Sequence, residues 1–262
     1  MENPINYICS IYTSKYPFPP NLKISISIVD DLLESINEFF DKTNRSKITN
    51  ISDDSNGYTC MPKSIEEAMQ IFIAKERVVN FADNNFQFIC TIFHELTHAI
   101  DFYNYCNDFC EGNYDNINNT NNYFGFKMWS EFNAKRISYL LYFETINGEN
   151  YDEKQALENF LNYELGYQNN YITEQMNKSL SGEQFIYDVV LYLGRYYCWE
   201  KLFPSAFEKG NLFPKELKDR FNDELSDLYE CFKQHLNYSK NKDDYSHIFD
   251  KLNTLTLKYL FD

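Results

Sequence analysis

The stretch "FICTIFHELTHAIDFYNY", residues 88–105, decides the fold around which the rest of the chain is arranged. Its apolar residues recur at every third or fourth position, which predicts a helix from Phe86 to about Tyr105. The chain has four histidines, and two of them, His94 and His98, fall here four residues apart. Because residues at this spacing lie on one face of a helix, the two imidazoles can be directed at one ion.

Glu95 directly follows the first histidine of the pair and is offset from it by about 100° around the helix. The offset lets its carboxylate reach a metal-bound water without binding the metal. A His-Glu-x-x-His pattern thus supplies two neutral nitrogen ligands and one carboxylate base. The sequence predicts a Zn²⁺ site at His94 and His98 with Glu95 as catalytic base. The alternative is that both histidines are ordinary core or surface residues.

A catalytic zinc ion needs a third protein ligand and one open position for water. The three-histidine spacing is absent, because positions 101 and 104 hold Asp and Asn. The better candidate is Glu131 in "WSEFNAKR", since it lies on the next predicted helix (125–148) after one Asn-rich loop. Four other acids are rivals of Glu131 for the position of third ligand: Asp101, Asp108, Glu111 and Asp115. The two remaining histidines, His235 and His247, lie far downstream and are possible but unsupported as ligands. Asp101 is favoured as an acceptor that orients a ligand imidazole through its other ring N–H.

The flanking segments predict a small sheet before this helix and helices after it. Residues 26–42 have helical spacing, residues 47–60 suggest a strand or hairpin, and "MQIFIA" within 67–81 reads as a strand. Residues 192–203 are rich in aromatics and are expected in the core, whereas 113–124 is either a lid or a disordered surface loop.

The expected fold is α+β and mainly helical. A small N-terminal antiparallel sheet packs on the helix with the two histidines, and a helical C-terminal half follows. One domain is expected over residues 1–262, with a zinc-site αβ core at 1–148 and a helical C-terminal subdomain at 149–262.

Composition narrows the class of partner. The net charge is −15 and hydrophobic residues make up 44%. An acidic chain binds phosphate backbones poorly, so no nucleic-acid partner is expected, and the sequence lacks the apolar run of about 18 residues that a membrane span needs. The seven cysteines form no C-x-x-C pair and no signal peptide is evident, which favours buried thiols in a reducing, cytoplasmic setting. The oligomeric state is left open.

"HELTHAIDF" followed by "SEFNAKR" resembles the small glutamate-ligand zinc metallopeptidases, or minimal gluzincins, of the ImmA/IrrE and phage- or prophage-associated kind. The resemblance covers about residues 45–146 and implies zinc ligands and a base at His94, His98, Glu131 and Glu95. It also implies that the strand near 70–74 borders the cleft and pairs with an extended peptide, with substrate contacts at Gln70, Ile71 and Phe72. The residues after His98 and the helices after 150 depart from the family pattern.

The function expected from these residues is hydrolysis of a peptide bond in a peptide or protein substrate by a zinc metallopeptidase (hydrolase, metalloprotease), an endopeptidase rather than an exopeptidase. Tyr123 and Arg136 are candidate donors to the substrate's oxyanion. One alternative is a non-catalytic zinc-containing regulatory or protein-binding module. Another is a purely structural helical protein without a metal.

Overall fold

The computed structural model describes residues 4–49, 51, 56–76, 85–146, 152–178, 182–208, 210, 212–221 and 223–261. The chain divides into two compact units, Met1–Thr120 and Asn121–Asp262. The prediction of a single domain with subdomains meeting near residue 148 stays a prediction.

In its described residues the first unit combines a small sheet with helices. In chain order its elements are helix α1 (Pro4–Lys15), strand β1 (Ile24–Val29), helix α2 (Leu32–Lys42), strand β2 (Gly57–Cys60), strand β3 (Met69–Ala74), helix α3 (Asn85–Phe109) and a 3₁₀ helix (Tyr114–Asn119).

The three strands are ordered β1-β3-β2, with β3 in the centre. β1 runs parallel to β3, placing Ile26 opposite Ile71, whereas β2 runs antiparallel to β3, placing Thr59 opposite Ile71. The sheet is therefore mixed, and the expected antiparallel sheet is corrected in this respect. Parallel pairing is possible because α2 and β2 lie between β1 and β3 in the chain and supply a long connection.

The predicted helix over residues 26–42 is wrong at its start. Residues 26–29 belong to β1, and the helix begins only at Leu32. Isoleucine and serine alternate from Ile24, which suits a strand with two different faces. Asp31 then caps the helix, since its carboxylate accepts a hydrogen bond of 2.8 Å from the backbone N–H of Glu34.

The strand predicted within 47–60 is confirmed only at Gly57–Cys60, and residues 52–55 lie outside the described part of the chain. The side chains of β2 alternate between two faces of the sheet. Cys60 and Tyr58 join a cluster with Leu32 and Ile36 of α2. Thr59, on the opposite face, hydrogen-bonds Glu95 of α3.

Helix α3 confirms the predicted helix and extends it to Phe109. Its apolar side is buried, with Phe93 and Leu96 fully inaccessible to solvent. Helix α1 packs on it: the Tyr12 ring lies 5.9 Å from the Phe93 ring, and the Tyr12 hydroxyl lies 2.9 Å from that of Thr97. The sheet, α1 and α3 thus form the core of the first unit.

Residues 113–124 are not a disordered loop, because residues 114–119 form a 3₁₀ helix and Tyr123 begins α4; the alternative of a lid stays a prediction. Tyr114 and Ile117 are buried. Arg45 holds this segment through an ion pair of 2.9 Å to Asp115. An isolated bridge between Ser64 and Asn113 also fixes it to the preceding loop.

The second unit is helical throughout its described residues. Its α-helices are α4 (Tyr123–Leu141), α5 (Glu153–Asn159), α6 (Leu165–Asn177), α7 (Gly182–Leu202), α8 (Lys215–Phe221), α9 (Asp223–Gln234) and α10 (Lys242–Phe261). Two π segments, Tyr142–Ile146 and Phe160–Glu164, and a 3₁₀ helix, Pro204–Phe207, complete it.

The aromatic stretch at 192–203 is core, as expected. Tyr196 and Trp199 are almost completely buried. Gly194 allows α7 to cross α4 closely, since a Cβ at this position would lie only 2.9 Å from the backbone oxygen of Phe132 and 2.8 Å from Cβ of Lys135.

The expected class is confirmed: the protein is α+β and mainly helical, with a small sheet near the N-terminus and a helical C-terminal half. No helix of the described residues combines the length and the apolar character that crossing a bilayer requires.

Candidate metal centre

His94 and His98 lie one turn apart on α3, and their side chains are in contact. Their Nε2 atoms are 3.0 Å apart, and the rings are perpendicular with centroids 4.5 Å apart. His98 is buried and His94 is partly buried. The motif therefore brings two imidazole nitrogens together within the first unit.

Glu131 lies on α4 of the second unit and is partly buried. The candidate ligand atoms of His94, His98 and Glu131 all lie within 4.8 Å of one another. Over the part of the chain that the structure describes, no other set of three or more His, Cys, Asp and Glu side chains meets this test. The three residues predicted as ligands are thus the ones that can hold a metal ion.

The donor set fits zinc, which takes imidazole nitrogen and carboxylate oxygen in tetrahedral sites. Two ligand atoms bonded to such an ion at about 2.05 Å are about 3.3 Å apart. The observed 3.0 Å between the Nε2 atoms is close to this separation. The same distance also suits an N–H···N hydrogen bond between two neutral imidazoles. The observed separation is therefore compatible with both the metal-bound and the metal-free protein.

Glu95 is buried beside the histidines and is held by β2. The Thr59 hydroxyl donates a hydrogen bond of 2.8 Å to Oε2 of Glu95, and it lies 3.1 Å from the backbone oxygen of the same residue. Gly57 makes this approach possible: a Cβ there would lie 2.9 Å from Cγ2 of Thr91 and 3.1 Å from Cγ of Glu95. The strand therefore runs directly against the turn of α3 that carries the predicted base.

Thr97 anchors the motif from the far side of the helix. Its hydroxyl contacts the Tyr12 hydroxyl and also donates a hydrogen bond of 2.8 Å to the backbone oxygen of Phe93. The helix is thereby fixed by α1 on one side and by β2 on another.

Asp101 is buried on α3, one turn beyond His98. Its predicted role as an acceptor for a ligand imidazole stays a prediction. The other rivals for the third ligand do not join the group of three. Asp115 pairs with Arg45, His235 donates a ring N–H to the backbone oxygen of Cys231 at 2.7 Å, and His247 is exposed. Asp108 and Glu111 are likewise outside the group.

The expectation that the strand at 70–74 pairs with an extended peptide is wrong. β3 is the central strand, and β1 and β2 already occupy both of its edges. Ile71 is fully buried, Phe72 packs against Phe39 at 6.5 Å between ring centroids, and Gln70 donates a hydrogen bond of 3.0 Å to the Ser27 hydroxyl. These three residues support the sheet.

The two suggested oxyanion donors both lie on α4. Tyr123 is its first residue and is partly buried. Arg136 is buried, donates to the backbone oxygen of Leu236, and stacks its guanidinium 5.7 Å from the Tyr197 ring. These contacts give Arg136 a structural role in the second unit.

Cys60 follows Thr59 on β2 and has a strongly perturbed thiol. Burial and the nearby charge of Glu95 raise the pKa of Cys60, and Arg45 opposes them, so that the pKa is about 12. The thiol is therefore neutral at physiological pH. All seven cysteines are free thiols.

Sequence reasoning missed Thr59 and Gly57. The sequence predicts a strand or hairpin over residues 47–60 but assigns neither residue a role beside Glu95. The signal for its packing role is that Gly57 begins the strand, where glycine often marks a close approach of another segment.

Comparison of the chain with family models, curated proteins and solved structures found no match.

Proposed function

We propose that this protein is a zinc-dependent peptidase that uses Glu95 as its base. The observation that carries the proposal is the convergence of His94, His98 and Glu131, whose ligand atoms lie within 4.8 Å of one another. Glu95 lies in the same helical turn as the first ligand, which is the arrangement of ligand and base in the His-Glu-x-x-His pattern.

In this proposal three residues bind the metal ion and a fourth transfers the proton. His94, His98 and Glu131 would hold the ion, which supplies Lewis acidity towards water and towards the peptide carbonyl oxygen when it is bound. Glu95 accepts the proton of the attacking water on its carboxylate and returns it to the leaving amine. Its burial, at 6% exposure, limits competition from bulk water for this proton.

We assign pairing with the substrate backbone to β2. Among the described strands β1 and β2 are the two edge strands, and of these two it is β2 that contacts Glu95. An extended peptide can add to such an edge through main-chain hydrogen bonds. The peptide bond to be cleaved would then lie beside the carboxylate of Glu95.

The test combines metal analysis with digestion of a broad peptide library. We expect the purified protein to bind one equivalent of zinc and to cut peptides internally, as an endopeptidase does. Glu95→Gln should keep the zinc and lose at least about 100-fold in kcat, because general-base catalysis contributes roughly 10²–10⁴-fold. Asp115→Asn is the matched control, since this exposed acid lies outside the group of three.

The outcomes separate the candidate functions. A fully active Glu95→Gln protein contradicts the base assignment. One equivalent of zinc without cleavage of any peptide favours the non-catalytic regulatory or protein-binding module. A protein that takes up no zinc, and whose thermal stability does not respond to the metal, is a structural helical protein.

A further inference from the structure

We infer that Thr59 is a positioning residue for Glu95, the proposed base. The inference rests on the proposed function, and it adds a residue from the sheet to a site otherwise built from helices. The contact is direct: the Thr59 hydroxyl donates to Oε2 of Glu95 at 2.8 Å. The two residues are 36 positions apart in the chain, so the contact depends on how the sheet packs on α3.

The hydroxyl acts on the orientation of the carboxylate. A glutamate side chain has three rotatable bonds, and its terminal torsion is broad. A hydrogen bond to one oxygen restricts that torsion and fixes the direction in which the other oxygen points. Catalysis depends on such restriction, since a misplacement of about 1 Å can cost about 100-fold in rate.

The strand that carries Thr59 has little freedom to move away. Gly57, two residues earlier on the same face, lies against Thr91 and Glu95 so tightly that an added Cβ would meet Cγ2 of Thr91 at 2.9 Å. On the other side, β2 is paired with β3 from Gly57 to Cys60. The donor is therefore held at a fixed place relative to the helix.

A purely structural role is the competing explanation, because a buried carboxylate needs hydrogen-bond partners whatever it does. The two explanations differ in what a conservative substitution restores. A structural role depends on shape and satisfied polarity, and its loss lowers stability. A positioning role depends on the hydroxyl itself, and its loss lowers kcat in a protein that still binds zinc and substrate.

The experiment compares Thr59→Val, which keeps the shape and removes the hydroxyl, with Thr59→Ser, which keeps the hydroxyl. We expect Thr59→Val to lose about 10-fold or more in kcat, with KM and zinc content close to those of the wild type. Thr59→Ser should recover most of that loss. Thr173→Val is the matched control: this threonine is also partly buried, but it lies on α6 and its hydroxyl donates to the backbone oxygen of Asn169, so its kcat should stay near the wild-type value.

A second measurement needs neither zinc nor activity. The unfolding equilibrium of the metal-free protein is compared for Thr59→Val, Glu95→Leu and the double variant. A direct contact predicts that the effects of the two single variants on the unfolding constant do not multiply. Multiplicative effects overturn the contact, and with it the inference.

The outcomes keep the inference apart from the proposed function. A zinc-loaded wild type that cleaves no peptide overturns the proposed function and the base role together. A wild type that cleaves peptides, beside a Thr59→Val variant with unchanged kcat, overturns only the inference. Failure of Thr59→Ser to restore kcat also contradicts it, because the hydroxyl is then not the active feature.

Discussion

At the scale of single residues, the Nε2 atoms of the two candidate ligands His94 and His98 lie 3.0 Å apart. A neutral imidazole carries one N–H. Without a metal, one Nε2 has to carry the hydrogen that lies between the rings, whereas two ligand nitrogens must both be bare. Metal binding therefore requires one of these rings to move its proton from Nε2 to Nδ1, a change of tautomer that leaves both rings neutral.

The Cys60 thiol leads to a prediction for alkaline pH. Its pKa is raised from 9.0 to about 12 by burial, so the folded protein keeps the proton that the unfolded chain releases. This stabilisation is fully present below pH 9 and is lost as the pH rises towards 12. The free energy of unfolding should fall by up to about 1.4 kcal/mol per pH unit in that window from this group.

Urea denaturation at intervals between pH 8 and pH 11 checks this prediction. Other buried groups titrate in the same range, so the comparison is between the wild type and Cys60→Ala. The variant starts from a lower stability, because a cavity replaces the sulfur, but its stability should fall less steeply with pH. Equal slopes for the two proteins would contradict a buried, neutral Cys60.

Residues 94, 95 and 98 could be assigned roles from the sequence because their spacing alone puts them on one turn of a helix. Glu131 required the additional expectation that the next helix returns past the first. Thr59 could not be found in this way. Its contact with Glu95 spans 36 positions and depends on the register of β2, which no local pattern reveals.

At the scale of elements, the boundary between β1 and α2 shows where a periodic pattern misleads. Ile28 fits the helical spacing of the residues that follow it, yet it lies in a strand and is 41% exposed. The alternation of isoleucine and serine from Ile24 and the N-cap at Asp31 are the stronger signals. The alternation is not recognised when the helical pattern is read from residue 26, because Ile24 and Ser25 are then left out.

The contact between β2 and α3 predicts that Gly57 tolerates no side chain. A Cβ at this position would lie 2.9 Å from Cγ2 of Thr91 and 3.1 Å from Cδ1 of Ile73. Gly57→Ala should therefore destabilise the protein by about 1–3 kcal/mol, the usual cost of overpacking, and should lower the proposed peptidase activity by displacing Thr59.

Gly166 on α6 is the matched control for this substitution, because a Cβ there would meet nothing within 4 Å. Gly166→Ala should stabilise the protein by about 0.5–1 kcal/mol through helix propensity. Chemical denaturation of the two variants measures both effects. A neutral Gly57→Ala would mean that β2 can withdraw from the helix.

At the scale of the whole molecule, the class of the fold could be predicted because long amphipathic helices and one short β-branched strand are visible in the chain. The arrangement of the strands could not. β1 overlaps a segment whose spacing predicts a helix, so the sequence does not reveal the parallel neighbour of β3. For the same reason the sequence does not reveal that β3 is the central strand and that β2 lies at an edge of the sheet.

A bound metal should stabilise the whole protein. Zinc at about 1,000 times its Kd adds about 4 kcal/mol to the free energy of unfolding, which raises Tm by about 10 °C for a protein of this size. His98→Ala should abolish the rise, while His247→Ala should keep it, because His247 is exposed and lies outside the group of three. Calorimetry with zinc and with a chelator provides the measurement. An equal rise in both variants would place the metal elsewhere.

The mixed sheet has a consequence for the order in which the chain acquires its structure. β2 and β3 are joined by a short connection, from Cys60 to Met69, and can close as a local hairpin. β1 leaves the ribosome before either of them, but its parallel partner is β3. The backbone of β1 therefore stays unpaired until β3, up to Ala74, has been synthesised. We expect this long-range closure to limit the rate at which the sheet forms.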